Sequence, residues 1–304
     1  MGNALFNFAT ENFPKTIMMN KKKNYRILTL SIMAISMILC VVYVGCSRVI
    51  ASDMDTHSIS FPEGFTKLVF DEEFNYSGAP DTTKWSFEEG YIRNGEMQYY
   101  TDGLNVWCSD STLVIESRLD NSLIDGDTIP VTSGSVTTFG KAAWKECFVE
   151  VRAKMPSFRG SWPAIWMMPS ESRYGKWPQS GEIDILEHVG HEPDRIHFSA
   201  HSERYNHMRS QQTTGSIEAP EVTDGFHIYG LKRTEDTIVW YYDGKEVFKL
   251  EKEKGADWTS WPFDADFYLI LNLAVGGSWG GQKGVDLTAL PAQFEIDYVR
   301  VFEK

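Results

Sequence analysis

The stretch Gly181-Glu182-Ile183-Asp184-Ile185-Leu186-Glu187-His188-Val189-Gly190 sets three carboxylates within six positions among apolar residues. Desolvated carboxylates are costly unless they have partners or chemistry to perform. The alternation reads as a β-strand, with Glu182 and Asp184 on one face and Ile183 and Ile185 on the other. Strict period two puts Glu187 on the face opposite Glu182. One extra residue, a β-bulge, returns Glu187 to the same side, and bulges are enriched beside active sites. Two carboxyls on one strand face then stand about 5–5.5 Å apart, the spacing at which a retaining glycosidase uses one as nucleophile and the other as acid/base. The competing reading is a charged edge strand.

The neighbours favour chemistry. Arg159-Gly160-Ser161-Trp162-Pro163-Ala164-Ile165-Trp166-Met167-Met168-Pro169 and Trp177-Pro178-Gln179-Ser180 lie just upstream of the acids. Sugars present flat C–H faces that stack on indole, while polar groups fix their hydroxyls. Aromatic residues beside carboxylates are what a carbohydrate cleft needs, and core packing is the alternative for each Trp. Trp162 and Trp177, flanked by Pro and Gly, read as cleft wall. Trp279 lies in the Gly-rich loop Gly276-Gly277-Ser278-Trp279-Gly280-Gly281, which suits an exposed platform.

The segment Glu182-x-Asp184-x-x-Glu187 resembles the bulged strand of glycoside hydrolase family 16, in its bacterial laminarinase-like branch of endo-β-1,3-glucanases and mixed-linkage β-glucanases. Asn94-Gly95-Glu96-Met97-Gln98-Tyr99-Tyr100-Thr101 is similar to the early cleft segment of that family, and Phe148 to Lys154 to the strand before the Trp-Pro motif. His201 to His207, Leu271 to Gly281 and Ile296 to Val301 also fit, in the expected order across residues 62–304. The resemblance implies a β-jelly-roll of two curved antiparallel sheets with a concave substrate cleft. It also implies retaining endo-hydrolysis of β-1,3-glucan (laminarin) or mixed-linkage β-1,3/1,4-glucan. Glu182 is then the nucleophile, Glu187 the acid/base, and Asp184 the residue between them that bonds the nucleophile and holds the two pKa values apart. Trp162, Trp166 and Trp279 are expected to stack against sugar, with Trp177, Asn94, Glu96 and His201 positioning hydroxyls or the acid/base. Many relatives carry a sugar-binding Arg at about the place of Ser135, and this chain departs from them there. No cofactor is implied for catalysis. Glu73 and Asp297 match positions at which family members hold a structural Ca²⁺, the alternative being ordinary salt bridges. A surface glycan-binding protein with the same fold is the alternative function, disfavoured by the three intact acids.

The rest of the chain must position these groups. Short strand patterns run at Lys67–Glu73, Thr112–Ser117, Cys147–Lys154, Ile183–Glu187, Arg195–Ala200, His227–Arg233, Thr237–Tyr242, Lys245–Leu250, Phe267–Leu273 and Gln293–Phe302, with Asp243-Gly244 as a hairpin signal. Long helical patterns are missing, which points to an all-β sandwich or barrel. Asp120 to Gly134 reads as a turn or small insertion. The 304-residue length suits one large β domain, here residues 62–304, and 42% hydrophobic content supplies a core.

The N-terminus reads as an export signal. Lys21-Lys22-Lys23 and Arg26 precede an apolar run, Ile27 to Gly45, that ends at Val44-Gly45-Cys46-Ser47. Residues 1–45 are expected to be a signal peptide, with Met18-Met19 an alternative start. Cys46 is the expected lipidation site and residues 46–61 a tether, giving a lipoprotein on the outer membrane or cell surface of a bacterium; an uncleaved membrane anchor is the alternative. Cys108 and Cys147 remain, and export permits a disulfide, while the apolar pattern around Cys147 suits a buried thiol. Removing five Lys/Arg and one Glu with residues 1–45 leaves 24 Lys/Arg against 41 Asp/Glu, a net charge of −17. That balance argues against nucleic acid and sulfated polysaccharide and is compatible with a neutral glucan. A monomer is expected. The chain lacks His-Glu-x-x-His, Cys-x-x-Cys and phosphate-loop patterns, and Gly276-Gly277-Ser278-Trp279-Gly280 spells Gly-x-Ser-x-Gly without the helix that a nucleophile elbow needs after it, which sets aside catalytic zinc, nucleotide and serine-hydrolase readings.

Overall fold

Runs of alternating β-branched, aromatic and polar residues need a neighbour to cover one face and to satisfy their backbone groups. In the computed structural model they do so as seventeen strands among the described residues, 59–124 and 127–304. The expected signal segment 1–45, Cys46 and the tether through residue 58 lie outside the described residues, and Phe61–Lys304 clusters as one unit. The strands are β1 (Lys67–Glu72), β2 (Ser86–Phe87), β3 (Tyr99–Tyr100), β4 (Val106–Ser109), β5 (Thr112–Ile124), β6 (Asp127–Ser133), β7 (Ser135–Thr137), β8 (Cys147–Lys154) and β9 (Ser161–Pro169). They continue as β10 (Glu182–Glu187), β11 (Arg195–His201), β12 (Thr213–Glu218), β13 (His227–Arg233), β14 (Thr237–Tyr242), β15 (Lys245–Glu251), β16 (Phe267–Val275) and β17 (Ala292–Glu303).

Two sheets result. One has the order β15-β14-β13-β8-β17-β5-β6-β3, with β1 also on β17 and β4 on β5; the other has the order β12-β11-β10-β9-β16-β7-β2. Pairing is antiparallel except where β3 meets β6 in parallel. The inner faces form one core, in which Ile165, Ile183, Phe198, Leu269 and Leu271 of the second sheet join Val149, Val151, Leu231, Ile238 and Val299 of the first. Cys108 and Cys147 lie in that core as free thiols, and burial pushes both thiol pKa values up to about 11. This is the expected β-jelly-roll.

Three expectations change. The Trp-Pro segment is itself a strand, β9, beside β10 and β16 at the centre of its sheet. Pro163 lies within it and lacks a ladder N–H, which disguises the strand in sequence. Asp120 to Gly134, read as a turn or small insertion, is mostly the β5–β6 pairing. The two-residue and three-residue strands β2, β3 and β7, absent from the sequence reading, are too short to carry a period.

Candidate active site

The bulge on β10 is present and sits among the acids. Asp184 pairs with Ser199 and Glu187 with His197, so three steps on β10 answer two on β11. Ile185 and Leu186 are both buried, which means two successive residues face the core. Glu182, Asp184 and Glu187 therefore share the outer face. The bulge leaves the Asp184 carbonyl outside the ladder, and the buried Trp240 indole of β14 donates to it at 2.8 Å. A residue of the opposite sheet thus fixes the distortion that aligns the acids.

Directly paired residues of antiparallel strands point to the same side. The pairings lay out three rows on the outer face: His201 with Glu182; Ser199, Asp184, Trp166 and Ile270; and His197, Glu187, Ala164, Asn272 and Ser135. Nε2 of buried His201 lies 3.3 Å from Asp184 Oδ2 and 3.7 Å from Glu182 Oε1. Glu182, Asp184 and His201 offer donor atoms all within 4.8 Å of one another, an arrangement that suits a shared proton and could also accept a cation. Trp162 Nε1 donates to Glu187 Oε1 at 3.1 Å.

Burial raises all three carboxyl pKa values. Glu182 is pushed up to about 8 by desolvation first and by Asp184 second, while His201, the Trp177 indole N–H and Arg93 favour its charged form. Asp184 is raised by desolvation. Glu187 is raised well above the ordinary range by desolvation and then by repulsion from Asp184 and Glu182, against the Trp162 bond and the weaker His201 attraction.

The expected aromatic residues divide. Trp166 is half-buried and donates Nε1 to Asn272 Oδ1 at 2.7 Å. Trp162 is buried, packed with Val189, Ala274 and Trp279. Trp279 is partly buried and not a free platform: its ring meets Trp162 at 5.6 Å and His197 at 4.8 Å, both edge-on. Its loop needs glycine, because Gly277 has φ 76° and a Cβ there would meet the Glu96 and Trp162 side chains. Trp177 packs its ring 4.9 Å from His207. Glu96 accepts from Asn94, Gln98 and Tyr100. Tyr100 in turn accepts from Asn272, so Trp166, Asn272, Tyr100 and Glu96 form one chain of bonds. Glu73 and Asp297 stand apart. Glu73 takes two bonds from Arg300, at 2.6 and 2.9 Å, and Asp297 pairs with Arg152. A calcium ion there would have to compete with two guanidinium groups.

Sequence reasoning missed Arg93, Glu88, Asn272 and Trp240. Asn272 left a trace as the one polar residue in Leu271-Asn272-Leu273. Arg93 and Glu88 sit in segments without a usable period, and Trp240 read only as a core residue of its strand.

Residues 94–300 match glycosyl hydrolases family 16. The chain belongs to this family. It is 42% identical to a beta-glucanase of Rhodothermus marinus over 86% of this chain and 91% of that protein. It superposes on the laminarinase structure from the same organism with a TM-score of 0.74, at 43% identity, covering 78% of this chain and 97% of the other. A keratan-sulfate endo-1,4-beta-galactosidase of Sphingobacterium multivorum is 35% identical over 78% of this chain and 55% of its own length.

Proposed function

We propose that the protein is a retaining endo-acting β-glucan hydrolase that cuts β-1,3-glucan or mixed-linkage β-1,3/1,4-glucan by double displacement. The observation that carries the reading is the placement of Glu182, Asp184 and Glu187 on one face of β10, brought about by one bulge and given unequal surroundings. The glucanase and laminarinase relatives support the substrate class.

In the first step a Glu182 carboxylate oxygen attacks the anomeric carbon. The glycosidic C–O bond breaks, and its oxygen takes the proton from Glu187. Glu187, now charged, accepts a proton from water as that water's oxygen attacks the same carbon. Glu182 leaves, and the product keeps the starting configuration. Asp184 and His201 hold Glu182 oriented, and the high proton affinity of Glu187 keeps it protonated until the leaving oxygen needs it. No step uses a metal, and activity is expected to survive EDTA.

Side-by-side product profiling on laminarin, barley β-glucan, agarose and carrageenan tests the reading. Internal cleavage of a β-glucan with retained configuration is expected. Dominant activity on either galactan would overturn the substrate, and tight binding without reducing-sugar release would favour a glycan-binding role. We further propose export with lipid attachment at Cys46, on the pattern of residues 21–46; metabolic labelling with a fatty acid, lost in Cys46→Ser, checks it.

A further inference from the structure

Next to the three acids, the outer face carries a charged pair with no contact to sugar assigned to it so far. Arg93 pairs with Glu88, and each side chain remains about one-fifth exposed (20% and 21%). The pair is fixed on every side. Ser135 Oγ donates to the other Glu88 oxygen at 2.6 Å, and the Glu88 backbone N–H bonds the Ser135 carbonyl. The Arg93 guanidinium lies over the Trp166 ring at 4.9 Å and the Tyr100 ring at 5.8 Å. Those rings are themselves joined through Asn272. Tyr91, two residues earlier, is 57% exposed, with its ring propped edge-on against Tyr99 at 5.4 Å.

The sheet register locates the pair relative to the bond that is cut. From β10 the order runs β9, β16, β7, and Ser135 lies on the third of these. Strands are about 4.8 Å apart, close to the length of one pyranose ring. The pair spans from Ser135 on β7, three strand spacings from the acids and bonded to Glu88, back to Trp166 on β9, one spacing away and under Arg93, so its reach covers the second and third ring positions. The Arg93 guanidinium stacks over Trp166, which pairs with Asp184 between the two glutamates, so the pair borders the cleft on the β9–β16–β7 side of the acids.

Resting on the glucanase reading, we propose that the Arg93–Glu88 pair determines specificity at a distal glycone subsite, where it hydrogen-bonds the second or third sugar ring before the scissile bond. The pair sums to zero charge, which suits neutral hydroxyls and not an anionic substituent. It offers a donor and an acceptor from one rigid unit, so it reads hydroxyl placement, while Tyr91 offers an apolar rim. Arg93 Nη1 is covered and has no partner in the free protein. A small shift of the guanidinium toward a sugar oxygen would supply one.

The test is the dependence of kcat/KM on chain length, using aryl β-1,3-gluco-oligosaccharides of two to five rings. Arg93→Leu with Glu88→Gln removes both charges together, so no unpaired carboxylate is left buried. Arg93→Lys keeps the charge and loses the planar fork, and it decides the matter if the double variant does not fold. The native enzyme is expected to gain strongly on addition of the third ring, and both variants to lose about tenfold or more of that gain, the size of a lost charge-assisted hydrogen bond. The same length dependence in an active native enzyme and its variants would overturn the subsite alone. A native enzyme inactive on every β-glucan would overturn the glucanase reading and the subsite with it.

Discussion

Glu182 and Glu187 are the same side chain on the same strand face, yet their neighbours differ. Around Glu182 stand an imidazole, an indole N–H and a guanidinium, and each favours the carboxylate. Around Glu187 stands one indole N–H at 3.1 Å, set in an aromatic group of Trp162, Trp279 and His197. Both lose water, and both feel Asp184. Only Glu187 feels repulsion from two acids. Two equal carboxyls are thereby pushed apart in proton affinity, and the division into nucleophile and acid is set by surroundings drawn from β9, β11, the Trp177 loop and the residue-93 loop.

The largest effects come from removing either end. Glu182→Ala and Glu187→Ala are each expected to lower kcat on laminarin by about 10⁴-fold or more. With an activated aryl glycoside and added azide the two should separate. Glu187→Ala still forms the glycosyl-enzyme, so azide gives a product of retained configuration. Glu182→Ala lacks the first displacement, so no rescue by that product is expected. Near-native activity in both variants would break the comparison outright.

His201 tests the nucleophile side next. His201→Ala is expected to cost about 10²-fold in kcat, on the scale of a lost positioning group. Because His201 favours the charged form of Glu182, its loss raises that pKa, and the acidic limb of kcat/KM should move to higher pH. The same limb position in variant and native enzyme would mean that His201 only packs.

Trp162→Phe is the matching change on the other side. It removes the N–H that favours charged Glu187, so the Glu187 pKa rises and the alkaline limb of kcat/KM should move up, with about tenfold lower kcat/KM. Trp279→Ala should weaken polysaccharide binding by about 1–3 kcal/mol. Since Trp279 packs on Trp162 and His197, some thermal stability should be lost too. Lost stability with unchanged affinity would make it a packing residue and nothing more.

What could be read in the sequence follows from where the information lies. The β10 acids and the need for a bulge were legible because period two fails visibly between Asp184 and Glu187. The β8, β13 and β14 strands were legible from their sequence patterns, and in β8 burial alternates from Val149 to Lys154. Strand β9 was hidden by Pro163 and by a run of apolar residues on both faces. Arg93 and Glu88 were illegible because their meeting depends on a loop and an edge strand of two residues, which leave no period to read. Trp240 looked like any core residue, and only the packed sheets show that its N–H reaches the Asp184 carbonyl.

The smallest effect tests the comparison without any substrate. A carboxyl with a raised pKa in the folded protein holds its proton there more tightly than in the unfolded chain. Below the ordinary Glu value, near pH 4, both states are protonated and the group has no pH-linked effect. As pH rises above that value the unfolded chain ionises first, so the native protein loses stability until the folded pKa is passed. Glu187→Gln keeps an oxygen for the Trp162 N–H and removes the ionisation. The variant should therefore match the native protein near pH 4 and exceed it increasingly toward pH 8, by about 1–2 kcal/mol. That is a rise of roughly 2–8 °C in Tm for a unit of this size. Urea denaturation across pH 4–8 measures it. Parallel curves for the two proteins would show that Glu187 is not held protonated by its surroundings, and the proposed difference between the two ends of the strand would lose its electrostatic basis.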